Sequence, residues 1–290
     1  MKLHRLLLPK LYSRLDALKA ENHRLKHRFD QVISLQYAPP ETSPLFYKGT
    51  PLHLPFDKVM VPNLLESGTW QGDVLDFTRR EISQRPATPY HLFDVGANIG
   101  LITRQLLAQL SAVTGATCFE PDPGNFAYLR KNTEPFQDVT YLNYALSNAA
   151  GKSTFYRENG NIGNYSLIAE AMAQAKSNEI TIECVKTSDE LLLRGVPEAA
   201  RLIWKSDTQG YDEIIATELS PSFWARVDVA FMELWPIGKP KYALEKLEAI
   251  LDSFPRKYLA SDSQNPATTA EILAYIQGSD PTYRDLFMAK

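Results

Sequence analysis

Five polar residues stand where short apolar runs of this chain end: Asp94, Glu120, Asn143, Asp207 and Glu233. In an open α/β sheet such strand ends converge on one rim, and ligands bind there, outside the carboxyl ends of the strands. The richest stretch is His91 to Glu120, which reads as strand, glycine turn, helix and strand. Its turn has the pattern D-x-G-x-N-x-G, with Asp94, Gly96, Ala97, Asn98 and Gly100. Small residues there let the backbone pass close to a ligand, and the helix that follows offers free N–H groups and a positive dipole end to negative charge. Glu120 ends the second strand, where a carboxylate can accept both hydroxyls of a ribose and repel a 2′-phosphate. A second group, Lys205, Asp207 and Glu233, has the types needed to orient a nucleophile and take its proton. Asp207 is the first choice as base. Lys205 needs a depressed pKa to act as one and otherwise orients the acceptor, or forms an ion pair with Asp207 that anchors the strand end.

The turn excludes two common cofactor classes. A dinucleotide fingerprint needs G-x-G-x-x-G, but from Gly96 its later glycine positions hold Asn98 and Leu101. A P-loop needs G-K-[ST] after four intervening residues, and none follows. An adenosine with free ribose hydroxyls and no pyrophosphate fits what remains, which points to S-adenosylmethionine. Asp94 would stabilise the turn and, through water, face the cationic amino group. The backbone from Gly96 to Gly100 would face the methionine portion, and Ala145 the adenine edge. No His or Cys cluster has metal-ligand spacing and no metal is expected, although Asp207 with Glu233 is a pair suited to a divalent ion.

Several ordered motifs resemble the FkbM family of S-adenosylmethionine-dependent methyltransferases. FDVGANIG is similar to its first motif, and CFEPDPGNFAYLRKN, with Glu120, Pro121, Asp122 and Asn125, to its second. NYALSNAAG supplies Asn143, Ala145, Leu146, Ser147 and Gly151, and TSDELL has Ser188 where the family places an apolar residue. IWKSDTQGYDEII resembles the K-x-D-x-[EQ]-G-x-E block through Lys205, Asp207, Gln209 and Gly210, with Asp212 or Glu213 as its last acidic residue. FMELWP carries Glu233. The similarity runs from about Val59 to the C-terminus. It implies a class I methyltransferase fold, Rossmann-like, with a mostly parallel seven-stranded sheet and helices on both faces.

With 290 residues and 44% hydrophobic content, the chain has enough apolar material for a sizeable core. Its net charge of −3 is unevenly spread. Up to Gln36 there are eight Lys and Arg against Asp16, Glu21 and Asp30, which leaves 23 basic against 31 acidic residues in the remainder, a net of −8. Bulk electrostatics therefore argue against a nucleic-acid partner. Cys118 and Cys184 lie in apolar runs and read as buried free thiols, which suits a cytoplasmic protein. No run reaches the ~20 apolar residues of a membrane span. Leu6–Leu8 is cut off by Pro9 and is too short for a signal peptide.

Three regions are expected: a basic helix over 1–36, a linker and N-terminal cap over 37–90, and the cofactor-binding domain over 91–290. In the first, Leu8, Leu11, Leu15, Leu18, Asn22, Leu25, Phe29 and Val32 alternate at three and four. This is the seam of a parallel two-stranded coiled coil, with Asn22 fixing its register, and a homodimer through residues 8–35 is expected. A single packed helix, or a basic helix on a membrane surface or a protein, are the other readings. The proline-rich 37–55 reads as a strap, and 63–83 as one or two helices. Further strands are expected at 139–144, 202–206, 227–234, 256–260 and 284–288, with helices at 125–131, 242–254 and 269–276. Between them, 151–157 and 179–187 read as paired antiparallel strands, joined by an insertion that becomes helical from about Leu167.

The expectation is a cytoplasmic O-methyltransferase acting on a hydroxyl-bearing acceptor, peripheral at the inner face of a membrane where the basic helix docks there. The resemblance implies the O-methyl transfer; the acceptor expected is a sugar of a bacterial surface glycan or glycolipid, with Gln209, Tyr211, Trp235 and Tyr165 as acceptor-binding residues. Methylation of a polyketide or other secondary metabolite is the enzymatic alternative. A cofactor-binding scaffold that recruits a glycosyltransferase is the alternative from another class.

Overall fold

The computed structural model describes residues 13–24, 49–55, 57–85, 87–172, 177–236, 242–259, 265–278 and 282–290. Its centre is a seven-stranded sheet with strand order β10-β11-β9-β8-β1-β2-β3. The strands are β1 (Tyr90–Val95), β2 (Val113–Phe119), β3 (Val139–Leu142), β8 (Arg201–Ser206), β9 (Val227–Leu234), β10 (Arg256–Leu259) and β11 (Arg284–Ala289). The neighbours from β3 through β9 run parallel, and β11 lies antiparallel to both β9 and β10. The chain starts in the middle, moves outward through β2 and β3, then returns to the other side of β1 with β8. The order therefore reverses between β1 and β8, and a crevice is expected above that point.

Every residue of β1 and β9 is buried, as the apolar runs predict for strands covered on both faces. Alternate residues feed two cores. Phe93, Val95, Leu202, Trp204, Met232 and Leu286 face one side. There they meet α5 (Asp189–Leu193), α6 (Asp212–Ala216), α7 (Pro221–Arg226), α8 (Leu244–Asp252) and α9 (Thr269–Ile276). Tyr90, Leu92, Ile203, Phe231 and Phe287 face the other. That side is covered by α2 (Gly72–Ile82), α3 (Leu101–Gln109) and α4 (Pro123–Thr133), and α1 (Met60–Ser67) packs beside them over Ile99 and Leu101. The mostly parallel seven-stranded sheet with helices on both faces is thus present as expected.

The insertion between β3 and β8 builds a second sheet of order β4-β7-β5-β6, from β4 (Ala145–Ser147), β5 (Gly151–Glu158), β6 (Tyr165–Ser166) and β7 (Ser177–Lys186). The expected antiparallel pairing of β5 with β7 forms, from Gly151 opposite Cys184 to Glu158 opposite Ser177. The helix expected from Leu167 is reduced, among the described residues, to one 3-10 turn at Ala169–Met172. Residues 173–176 of that run lie outside the described residues, and β7 begins at Ser177.

Of the N-terminal seam, Leu8, Leu11, Leu25, Phe29 and Val32 lie outside the described residues. Residues 13–24 are helical, and Leu15 and Leu18 on that helix are 43% and 56% exposed. The strap is described from Gly49. Leu52 is buried, His53 exchanges backbone bonds with the Asn132 amide (2.7 and 2.9 Å), and the buried Arg104 donates to Thr50 and to the Asn132 carbonyl. Cys118 and Cys184 are buried and unpaired. No helix among the described residues is long and apolar enough to cross a membrane.

Candidate functional site

Above the β1/β8 reversal two adjoining cavities open. The first, about 550 Å³ of space open to solvent on one side, is walled by Phe119, Tyr144, Leu146 and Ile215 with Glu120 among its lining residues. The second, about 390 Å³, is lined by Met60, Trp70, Ala97, Leu101 and Lys205 among others. Gly96, Asn98, Gly163 and Asp207 line both.

Glu120 is the anchor of the first cavity. It is 4% exposed, and its two oxygens accept the Asn98 N–H and the Asp122 N–H, each at 2.8 Å. A carboxylate has about four lone-pair positions, so the backbone fixes its orientation and leaves capacity for two further donors. Burial pushes its pKa up to about 8, against the lowering effect of those N–H bonds. Asp122 is held in turn as the N-cap of α4, accepting from Gly124 and Asn125, with Arg157 on its other oxygen at 3.1 Å. Asn143 donates to the Glu120 and Pro121 carbonyls and braces the turn after β2. Pro121 and Ala145 line the cavity itself.

The glycine turn is packed from below and above. Gly96 has φ +72°, and a Cβ there would stand 2.1 Å from the Asp207 carbonyl oxygen; at Gly100, φ +82°, it would stand 2.8 Å from Leu129. The missing side chains therefore answer to protein neighbours as well as to a ligand. Asn98 has φ +51°. Its backbone N–H orients Glu120, while its side chain donates to the Ile162 carbonyl at 2.8 Å. Asn125 donates to the same carbonyl, and the buried Asp57 accepts the Ile162 N–H at 2.8 Å. The loop 160–163 of the insertion is thus riveted over the cleft as a roof.

Asp94 is fully buried under the turn and lines neither cavity. It accepts the Thr103 hydroxyl at 2.6 Å and pairs with Lys205 at 2.9 Å. Lys205 also donates to the Gly96 carbonyl at 2.7 Å. Its ion pair is therefore with Asp94, its register partner on the neighbouring strand, rather than with Asp207. Burial works to lower the Lys205 pKa, but the charges of Asp94 and Asp207 outweigh it and the net shift is upward. That is the reverse of the depression a lysine base needs, so Lys205 props the turn as a cation.

Asp207 and Glu233 share one partner. Gln209 donates its amide to Asp207 Oδ1 at 2.7 Å and to Glu233 Oε2 at 2.8 Å. Gln71 reaches Asp207 Oδ2 at 3.1 Å, and Trp235 Nε1 donates to Glu233 Oε2 at 2.6 Å. Burial first, then the neighbouring Asp207 charge, raises the Glu233 pKa well above the usual carboxylate range. Asp285, opposite Glu233 on β11, is pushed up to about 7 by burial and by Asp207. Trp235 stacks on Tyr283, with ring centroids 5.4 Å apart and 23° between planes.

The residues expected to bind an acceptor fall in two places. Gln209 and Trp235 belong to the carboxylate network, whereas Tyr165 and Tyr211 line the cavity that holds Glu120. Gln71, Asp57, Ile162, Tyr283 and Asp285 escape the sequence reading. For the last two a signal exists: an antiparallel final strand starts at the rim where parallel strands end. Among the described residues, no group of three or more His, Cys, Asp or Glu side chains is placed to hold a metal ion.

The strand order and directions, with the crevice above the reversal, define the class I methyltransferase fold. No family model and no curated protein matches the chain. Solved structures that it resembles at low identity include methyltransferase FkbM from Methylobacillus flagellatus KT, with 12% identity over 69% of this chain and 44% of that one, at a TM-score of 0.39. The N-terminal domain of human METTL16 in complex with SAH is similar at 13% identity, over 83% and 76% of the two chains, at a TM-score of 0.34. The T. thermophilus 16S rRNA N2 G1207 methyltransferase RsmC, in complex with AdoMet and guanosine, is similar at 13%, over 75% and 42%, at 0.32. The match spans less than half the length of the first and third of these chains.

Proposed function

We propose that this chain is an S-adenosylmethionine-dependent O-methyltransferase that acts on a hydroxyl of a sugar, in a bacterial surface glycan or glycolipid. The observation that carries the cofactor is Glu120: a buried carboxylate, oriented by two backbone N–H groups, with acceptor capacity left over at the floor of a cleft with apolar walls. Those residues fit an adenosine, with Glu120 for the ribose hydroxyls and Phe119, Ala145, Leu146 and Ile215 around the base. Gly96, Asn98 and Asp207 continue into the second cavity, which has room for an amino-acid tail. When bound, the cofactor supplies an electrophilic methyl group on a positively charged sulfur.

The chain's own part is to place a hydroxyl in line and remove its proton. A carboxylate near the rim takes that proton as the acceptor oxygen bonds to the methyl carbon and the sulfur–carbon bond breaks. Asp207 and Glu233 are the candidates, and burial beside the Asp207 charge raises the Glu233 pKa and with it its basicity. Fixing acceptor and methyl in line accounts for ~7 kcal/mol or more of such a barrier. The stacked Trp235 and Tyr283 offer a flat face beside Glu233 for a sugar ring, and the basic N-terminal arm, suited to a membrane surface, favours a lipid-linked glycan over a soluble polyketide.

The test is transfer of tritiated methyl from S-adenosylmethionine to a panel of glycan and glycolipid extracts, with Glu233→Gln as control. Label in an alkali-stable sugar ether, lost by 10²-fold or more in the variant, supports the reading. Tight cofactor binding without transfer to any hydroxyl acceptor would sink it and favour the scaffold.

A further inference from the structure

Asp207 occupies the junction of the two cavities, one of four residues that line both. Its carboxylate is gripped from each side. Gln209, which lines the first cavity, donates to Oδ1 at 2.7 Å, and Gln71, which lines the second, donates to Oδ2 at 3.1 Å. Both glutamines have left-handed backbones, φ 55° and 43°, a conformation non-glycine residues seldom adopt. Two separate chain segments thus bend unfavourably to aim an amide at the same group. A carboxylate with a donor on each oxygen is held in one orientation at the junction. Glu233 differs: its hydrogen bonds among the described residues fall on Oε2, which leaves Oε1 outside that network.

We propose that Asp207 is the counter-charge to the sulfonium of the cofactor, and that Gln71, brought in by the N-terminal cap, is the residue that positions it. The inference rests on the cofactor reading above. A nucleoside anchored at Glu120 fills the first cavity, and its amino-acid tail takes the second. The sulfur that joins the two halves has to cross at the junction, beside Asp207. Methyl donor and spent thioether differ there by one methyl group and one positive charge. A fixed anion at the crossing favours the donor and relaxes its hold once the charge is gone, so Asp207 sets which form of the cofactor the site keeps. Glu233 is then free to serve the acceptor.

Calorimetric titration tests this without any acceptor. S-adenosylmethionine, S-adenosylhomocysteine and sinefungin, which carries a protonated amine in place of the methylated sulfur, are each titrated into wild type, Asp207→Asn and Gln71→Ala. Asp207→Asn is expected to weaken the two charged ligands tenfold or more and the neutral thioether less than threefold. Gln71→Ala is expected to shift the same ratio in the same direction by threefold or more, and it carries the test if Asp207→Asn does not fold. Equal losses for charged and neutral ligands, or no loss, would overturn the counter-charge role and leave the cofactor reading standing. A wild type that binds none of the three would overturn both.

Discussion

The pKa of Glu120, pushed up to about 8 by burial, makes cofactor affinity depend on pH in a direction that can be worked out. Both backbone donors that hold it, Asn98 and Asp122, favour the ionised form, and ribose hydroxyls donate to that form as well. Binding therefore selects the carboxylate. At pH 6, two units below that pKa, about 1% of the free protein has Glu120 ionised, and the apparent affinity falls by that fraction. Between pH 6 and pH 9 the affinity should rise by up to ~100-fold, or about 2.7 kcal/mol at 1.36 per pKa unit. Each binding event at pH 6 to 7 should release close to one proton. The stability of the free protein runs the other way. A carboxylate raised above its ordinary value of 4.5 disfavours the fold as pH climbs from that value towards 8, because the unfolded chain ionises first. The assay is calorimetry with 5′-methylthioadenosine, which has the ribose but no titrating amino group, in phosphate and in Tris to count protons. Glu120→Gln should flatten the profile and abolish proton release. A flat wild-type profile with no proton release would refute the argument.

Two further expectations concern the scaffold of the site. Lys205→Met leaves Asp94 charged and unpaired in a fully buried position, a loss of about 3–5 kcal/mol. The melting temperature should fall by at least ~6 °C, part of it restored by adding Asp94→Asn; a variant within ~1 kcal/mol of wild type would contradict the pairing. Asp57→Ala removes an acceptor shared by the Val59 and Val61 N–H groups at the start of α1 and by the Ile162 N–H of the roof. Amide exchange should quicken together over 60–64 and 160–164, at a cost of about 1–3 kcal/mol, and acceleration of one segment alone would show that the two are not coupled.

The strands of the main sheet are legible in the sequence because burial on both faces writes them as continuous apolar runs. The pairing of β5 with β7 is legible because one face is wet and the residues alternate. Partnership across parallel strands is not. Asp94 and Lys205 are directly opposite in register, yet more than a hundred residues separate them and nothing local marks the pair. Glycine spacing at Gly96 and Gly100 announces a close approach without saying of what, and part of the answer is the Asp207 carbonyl and Leu129. Asn98 reads as a ligand contact, whereas its side chain bonds to the roof. Gln71 carries no signal at all, because its partner is set by how the cap folds back on the sheet. Glu120 is legible as the acid that ends the second strand, but its two backbone donors, Asn98 and Asp122, are not.

The bonds that close the cleft join segments far apart in the chain: His53 to Asn132, Asp57 to Ile162, and Gln71 to Asp207. During synthesis each early member waits for a late one, and the middle strand of the site, β8, arrives only after the whole insertion has emerged. A nascent chain that ends before residue 201 has Glu120 and no β8 beside β1. The last of these bonds, Gln71 to Asp207, therefore forms late, and until then the cap is held only by its earlier partners, Ile99 and Leu101 under α1 and Gln105 beside Trp70. That interval is where a holding chaperone would have most to protect.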